Sequence, residues 1–205
     1  MKFFDSMGPN PRLVRMFIAE KGIEIPTETV DIMAGANRQS DYLAKNPYGQ
    51  VPALELDDGR ILAETTVICE YLEELNPTPA LIGSTPEERA ITRMWTRRAV
   101  LNVIEPMGSG FRFAEGLAMF KDRMFCMPDA ADDFKKVAQL GLQKLDGLIE
   151  GQPWLAGDRF TLADITLFSF LDFGRVVGQP IDPECKNMTA WFERVGERPS
   201  AAATA

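Results

Sequence analysis

The apolar pattern of this chain changes character once, at a proline-bearing stretch over residues 77–86, and no other feature limits the architecture as strongly. Before that stretch, short alternating runs and longer runs of helical period take turns. After it, only helical periods occur. A chain that alternates strand and helix and then turns purely helical reads as two units, one α/β and one all-α.

Lys2 to Asp5 reads as a short strand, followed by the turn Ser6-Met7-Gly8-Pro9-Asn10-Pro11. From Pro11, Val14, Phe17 and Ile18 recur at helical spacing, and Lys21-Gly22 is a helix stop. Ile25 to Val30 alternates and predicts a second strand. A Gly/Ala/Asn/Ser stretch leads to a short helix over Ser40 to Lys45. Val51 to Leu56 and Arg60 to Leu62 flank Asp57-Asp58-Gly59, a hairpin signal. A helix from Thr65 to Leu75 stops at Asn76-Pro77-Thr78-Pro79, so the order is βαβ-α-ββα. Thr85-Pro86-Glu87-Glu88 then opens a helix, with proline in the first turn and acids at the positive dipole end. Helical patterns follow over 86–118, with a kink expected at Pro106, and over 130–150. Thr161-Leu162-Ala163-Asp164 has the form of a capping box with Asp in the usual Glu place. A last helix is expected over Glu184 to Val195, and Ala201 to Ala205 as a frayed tail. These readings divide the chain into residues 1–77, a linker over 78–86, and a helical unit over 87–205.

Composition removes several function classes. The chain has 205 residues, no histidine and three widely spaced cysteines, Cys69, Cys126 and Cys185. That excludes a Ser-His or Cys-His nucleophile pair, a disulfide framework and the commonest zinc ligand; no metal is expected. Lysine and arginine total 22 against 30 acids, a net charge of −8, which repels nucleic acid and anionic membranes. No apolar run approaches the about 20 residues that span a bilayer. The start of the chain lacks the apolar core of a signal peptide, so the expected location is the cytoplasm. Chemistry here calls for a thiol or nucleophile brought by a bound molecule.

Four places in the sequence, taken in order and spacing, are similar to one family. They are the turn Ser6 to Arg12 leading into Ala19-Glu20-Lys21-Gly22-Ile23; Asn46-Pro47-Tyr48-Gly49-Gln50-Val51-Pro52-Ala53-Leu54; Leu62-Ala63-Glu64-Thr65; and Thr161 to Asp164. Together they resemble the cytosolic glutathione transferases over nearly the whole chain. The resemblance implies a thioredoxin-like first domain, a helical second domain and a homodimer. Glutathione would be the co-substrate and a hydrophobic electrophile the second substrate. It also implies a cis peptide at Val51–Pro52, with the backbone of Val51 pairing with the cysteinyl part of glutathione. Glu64 and Thr65 would clamp the γ-glutamyl end, Thr65 at a helix start where free N–H groups favour an anion. Gln50, and more loosely Asn37 and Arg38, would meet the glycyl end. Each has a plainer reading too: Glu64 or Thr65 as a helix cap, the others as solvated loop residues.

The thiol-activating position departs from the family pattern. It falls on Gly8, which has no side chain, and Phe4 near the tyrosine position of other classes has no hydroxyl. Only thiolate is the nucleophile, and an unassisted thiol has a pKa of about 8.5. Asn10 can donate from its carboxamide, Ser6 from its hydroxyl, and backbone amides remain a third route. Asn10 also reads as a helix N-cap before Pro11. The second substrate is expected near Trp95, Asn102, Phe111, Phe113 and the methionines of 119–127, residues equally suited to a core. Two other functions fit the same site: glutathione-dependent disulfide reduction, and non-catalytic glutathione binding or regulatory interaction.

Overall fold

Phe3 and Phe4 are neighbours in a strand, so they point to opposite faces of the sheet, and both are buried. A strand that is apolar on both sides needs cover on both. In the structure, a computed structural model describing residues 1–205, that strand is β1 (Lys2–Asp5). It is followed by α1 (Pro9–Lys21) and β2 (Thr27–Thr29), which pairs with β1 in parallel. A 3₁₀ turn over Ala36–Arg38 and the short α2 (Ser40–Leu43) lead to β3 (Ala53–Glu55), antiparallel to β1. Then come β4 (Ile61–Leu62), antiparallel to β3, and α3 (Thr65–Leu75), giving a four-stranded sheet of order β2-β1-β3-β4. The expected order βαβ-α-ββα is present.

Phe4 packs with Val30, Tyr42 and Ala53, its ring edge-on to Tyr42 at 5.9 Å. Phe3 and its register partner Leu54 share the opposite face, and Leu13, Phe17, Ile68 and Leu72 of α1 and α3 are fully buried. At about 1.5–3 kcal/mol for each large apolar side chain removed from water, these two layers account for much of the first unit's stability. Two details differ from expectation. The first helix begins at Pro9 rather than Pro11, because Gly8 takes the cap position. Lys21, read as a helix-stop residue, is also a buried charge: its ammonium pairs with Glu73 and donates to the carbonyls of Asn76 (2.7 Å) and Pro79 (2.5 Å).

The second unit spans Thr85–Glu197 and is helical. It comprises α4 (Pro86–Ala99), a π-helical turn (Val100–Ile104), α5 (Glu105–Phe113), α6 (Leu117–Phe120), α7 (Ala131–Leu148), α8 (Leu162–Val176) and α9 (Lys186–Gly196). Every residue of α8 from Leu162 to Ser169 is buried, as expected of a helix that is apolar nearly all round. Its hydroxyls turn inward on its own backbone, Thr166 to Leu162 O and Ser169 to Ile165 O. Trp95 and Phe113 belong to this core, whereas Asn102, Met124 and Met127 are exposed.

The kink expected at Pro106 takes a specific form. Proline has no N–H to give the carbonyl four residues back, and that carbonyl belongs to Asn102, inside the π turn. It sits against Gly141 of α7, where an added Cβ would fall 2.0 Å from the Asn102 oxygen. Gly141→Ala therefore forces backbone apart and is expected to destabilise by about 2–3 kcal/mol, read as a lower urea midpoint at unchanged slope. Gly147→Ala on the same helix, where an added Cβ meets nothing within 4 Å, is the control for propensity alone.

The end of the chain corrects two expectations. Ala201 to Ala205 is not frayed, and Arg198–Ala205 groups with Met1–Ser84 rather than with the helical unit of 87–205. Residues Pro199–Ala203 form α10, with Ser200, Ala201 and Thr204 buried. The reason is Glu20 of α1. Its carboxylate accepts Arg198 Nε at 2.7 Å and an Arg198 terminal nitrogen at 2.6 Å, plus the Ser200 hydroxyl at 2.5 Å. Burial alone would push this carboxyl up, but the hydrogen bonds from Arg198 and Ser200 outweigh it and hold the group below its ordinary range.

Candidate functional site

Strand directions bring four chain segments to one end of the sheet. β1 and β2 both finish there, β3 starts there, and β4 finishes there because it runs antiparallel to β3. The turn after Asp5, the loop after Val30, the Gln50–Pro52 approach to β3 and the Ala63–Thr65 exit from β4 are thus neighbours. This is the sheet end that parallel β-α units offer to ligands.

The turn after β1 is short of donors in a particular way. Gly8 caps α1 at φ 105°, a left-handed value that side chains rarely adopt, so the absence of a side chain here has a backbone cause. Pro9 and Pro11 have no N–H, and the Arg12 N–H returns to Gly8 O at 3.2 Å. In the first turn this leaves the Asn10 N–H. Asn10 is exposed in the first turn of α1 and is not the N-cap that the sequence also allowed, and no side chain caps the helix. Ser6 is a correction: it is 6% exposed and its hydroxyl donates to Val30 O at 2.7 Å. Its one proton is thereby committed to bracing β1 against the end of β2.

The Val51–Pro52 peptide is cis, as the resemblance implies. β3 begins only at Ala53, and no protein group bonds the N–H or C=O of Val51. The preceding carbonyl is held firmly: Gln50 O accepts from Tyr42 Oη at 2.8 Å and Asn46 Nδ2 at 2.9 Å. Burial pushes the Tyr42 phenol up to about 12, against a lowering by Asn46, so it stays a donor throughout the neutral range. The Gln50 side chain itself points into solvent. Tyr42 carries a role that the sequence reading missed; an aromatic in a four-residue helix gave no signal of which carbonyl it would reach. Asn37 is a second correction. It is 5% exposed, and its amide donates to Gly49 O at 2.7 Å, so it braces the loop instead of facing a ligand carboxylate. Arg38 is exposed and gives one N–H to Tyr48 O at 3.2 Å.

Glu64 is the one non-glycine residue with positive φ, 69°. Such backbone costs of order 1–3 kcal/mol and persists where the surroundings hold it. It occupies the N-cap of α3, yet no side chain caps that helix. By contrast α4 carries a full capping box of Thr85 and Glu88. The reading of Glu64 or Thr65 as a simple side-chain cap is therefore not what the structure contains. Glu64 is exposed, Thr65 half-buried at the first helical position. Thus the two helices that start at this end of the sheet, α1 and α3, both leave their N-termini without a side-chain cap. No group of three or more Cys, Asp or Glu side chains is placed to hold a metal ion, and no helix is long and apolar enough to cross a membrane.

Two family models match the chain: the glutathione S-transferase N-terminal domain over residues 7–75 and the glutathione S-transferase C-terminal domain over residues 122–199. Glutathione S-transferase 2 of Saccharomyces cerevisiae is 34% identical over 94% of this chain and 84% of its own length. Among solved structures, Gtt2 from Saccharomyces cerevisiae superposes with a TM-score of 0.93 at 33% identity, covering 100% of both chains. A glutathione S-transferase domain-containing protein from Marinobacter aquaeolei gives 0.90 at 37% identity, over 98% of this chain and 100% of that one.

Proposed function

This chain belongs to the glutathione S-transferase family of enzymes, and we propose that it binds glutathione at the sheet end described above and presents its sulfur as thiolate to a hydrophobic electrophile. The observation that carries the reading is the convergence there of two side-chain-uncapped helix N-termini with the unbonded Val51 backbone. An extended peptide can lie along Val51 and complete its N–H and C=O. Glu64 pairs with the ligand ammonium, and Thr65 gives its hydroxyl and N–H to the adjoining carboxylate at the positive end of α3. Gln50 and Arg38 serve the glycyl carboxylate.

Asn10 is the activating donor in this reading. Its carboxamide N–H and its backbone N–H face developing negative charge at the start of α1, which favours an anion for the same reason. The thiol proton leaves to solvent, since no histidine exists in the chain to take it. The sulfur lone pair then forms the bond to the electrophilic carbon as that carbon's bond to its leaving group, or the π bond of an activated alkene, breaks and its electron pair moves onto the leaving group or the conjugated acceptor. Met7, exposed in the turn beside Asn10, offers a soft apolar surface to such a substrate.

Ultraviolet titration of bound glutathione tests this directly: the thiolate band is expected to appear at a pH below that of free glutathione. Asn10→Ala is expected to lower kcat by about thirty-fold, less than the loss of an oxyanion donor because charge on sulfur is diffuse. The KM for glutathione stays within about two-fold, since a contact strengthened only in the charged state acts on turnover. Asn10→Asp sets a carboxylate against the thiolate and shifts the titration upward. Equal kcat in parent and Asn10→Ala overturns the role of Asn10, and a bound thiol titrating like free glutathione overturns activation as such.

A further inference from the structure

We propose that segment 198–205 is a positioning element for the turn that carries Asn10, acting through Arg15. The geometry runs the length of α1. At its far end Glu20 holds Arg198 and Ser200. Further toward its start, Arg12 donates to Ala201 O at 3.3 Å and one nitrogen of Arg15 donates to Thr204 O at 3.3 Å. The other terminal nitrogen of Arg15 donates to Ser6 O at 2.9 Å and to Asp5 Oδ1 at 2.7 Å. One planar guanidinium therefore ties the end of α10 to the last residue of β1 and the first of the turn. A lysine could not make these bonds together, because its ammonium lacks the rigid fork.

Two further facts make this a device rather than a coincidence of packing. α10 has five residues, far too few to hold a helix unaided, so its order derives from docking on α1. The turn has little restraint of its own: Pro9 and Pro11 donate no N–H, its cap is a glycine without a side-chain bond, and its one internal return is the Arg12 N–H to Gly8 O. Ser6, Met7 and Gly8 are thus held from outside, by Val30 through the Ser6 hydroxyl and by Arg15 through the Ser6 carbonyl. Arg15 and the segment are positioning groups; neither needs to touch the sulfur. The catalytic consequence rests on the proposed role of Asn10, whereas the positional claim does not.

The test uses the full chain with Glu20→Ala, which undocks the segment from the end of α1 away from the turn, and with Arg15→Lys as an independent variant should the first fail to fold. Without ligand, the Arg12 amide, bonded to Gly8 O, and the Val30 amide, bonded to Asp5 O, are expected to exchange hydrogen at least about ten-fold faster in either variant. With glutathione bound, the thiol titration rises by about one unit, so kcat near neutral pH falls about ten-fold and recovers at alkaline pH, with KM nearly unchanged. Glu20→Gln, which keeps acceptors for Arg198 and Ser200, restores part of both. A purely structural segment would lower the melting temperature and leave the pH profile in place. Release of α10 with parental exchange at Arg12 and Val30 overturns the proposal. If the parent's bound thiol is not lowered, thiolate activation fails while the exchange experiment still decides the positional claim.

Discussion

Asp164→Ala is expected to unfold the second unit at moderate temperature, with a loss of about 4 kcal/mol or more. Asp164 is 0% exposed, and its two oxygens serve four donors. One accepts the Leu155 N–H at 2.9 Å and the Trp191 indole N–H at 2.8 Å; the other accepts the Thr161 N–H at 2.9 Å and the Thr161 hydroxyl at 3.1 Å. Each buried donor left without an acceptor costs about 1–3 kcal/mol. The alanine also loses the capping box that starts α8, the most buried helix of the unit. Asp164→Asn keeps one acceptor but turns an NH₂ toward the remaining donor pair, so it falls between parent and alanine. Burial pushes the Asp164 carboxyl above its ordinary range despite hydrogen bonds from Leu155, Trp191 and Thr161 that oppose the shift. A raised acid binds its proton more tightly folded than unfolded, so this group's contribution falls as pH rises through the raised value and is greatest below the unfolded one. Tryptophan fluorescence in urea checks the ranking, since Trp191 donates to the very carboxylate removed. A loss below about 1 kcal/mol would sink the argument.

Glu73→Ala is the counterpart in the first unit, with an expected loss of about 3–5 kcal/mol. Removing the carboxylate strands the Lys21 ammonium, whose side chain is 0% exposed. It also strips the acceptor from the backbone N–H groups of Leu81, Ile82 and Gly83, through which the chain after α3 is held. Most of the cost is the unpaired buried charge, so Lys21→Met in the same protein is expected to recover part of it. Recovery stays incomplete because the carbonyls of Asn76 and Pro79 then lose their donor. Urea midpoints of the two single variants and the double variant close the cycle. A double variant less stable than Glu73→Ala would contradict the account.

Much of the scaffold was legible from local pattern. The hairpin at Asp57-Asp58-Gly59, the stop at Gly22 and the Thr161–Asp164 capping box depend on residues within a few positions of one another. So do the ends of α3, whose bounds Thr65–Leu75 match the expectation. The same holds for the placement of part of the proposed site: Val51, Pro52, Glu64 and Thr65 sit where strand direction must carry them once the order βαβ-α-ββα is known.

Which partner a polar side chain takes is a different matter. Ser6 and Asn37 also read as ligand donors, and it is the carbonyls of Val30 and Gly49 that take the Ser6 hydroxyl proton and one Asn37 amide proton. Asn10 read equally well as a cap until Gly8, two residues earlier, took that place. The segment after Arg198 is too short to hold a helix by itself even with its alanines; a carboxylate at position 20 orders it. Pro106 announced a kink, but only the approach of α7 shows why position 141 must be glycine. The sequence by itself determined where backbone changes direction and type, because caps, turns and periodicity act over one or two turns of chain. Tertiary structure decided which donors, acceptors and charges are spent and which remain for a ligand, because burial makes an unmet polar group costly and its partner can lie anywhere along the chain.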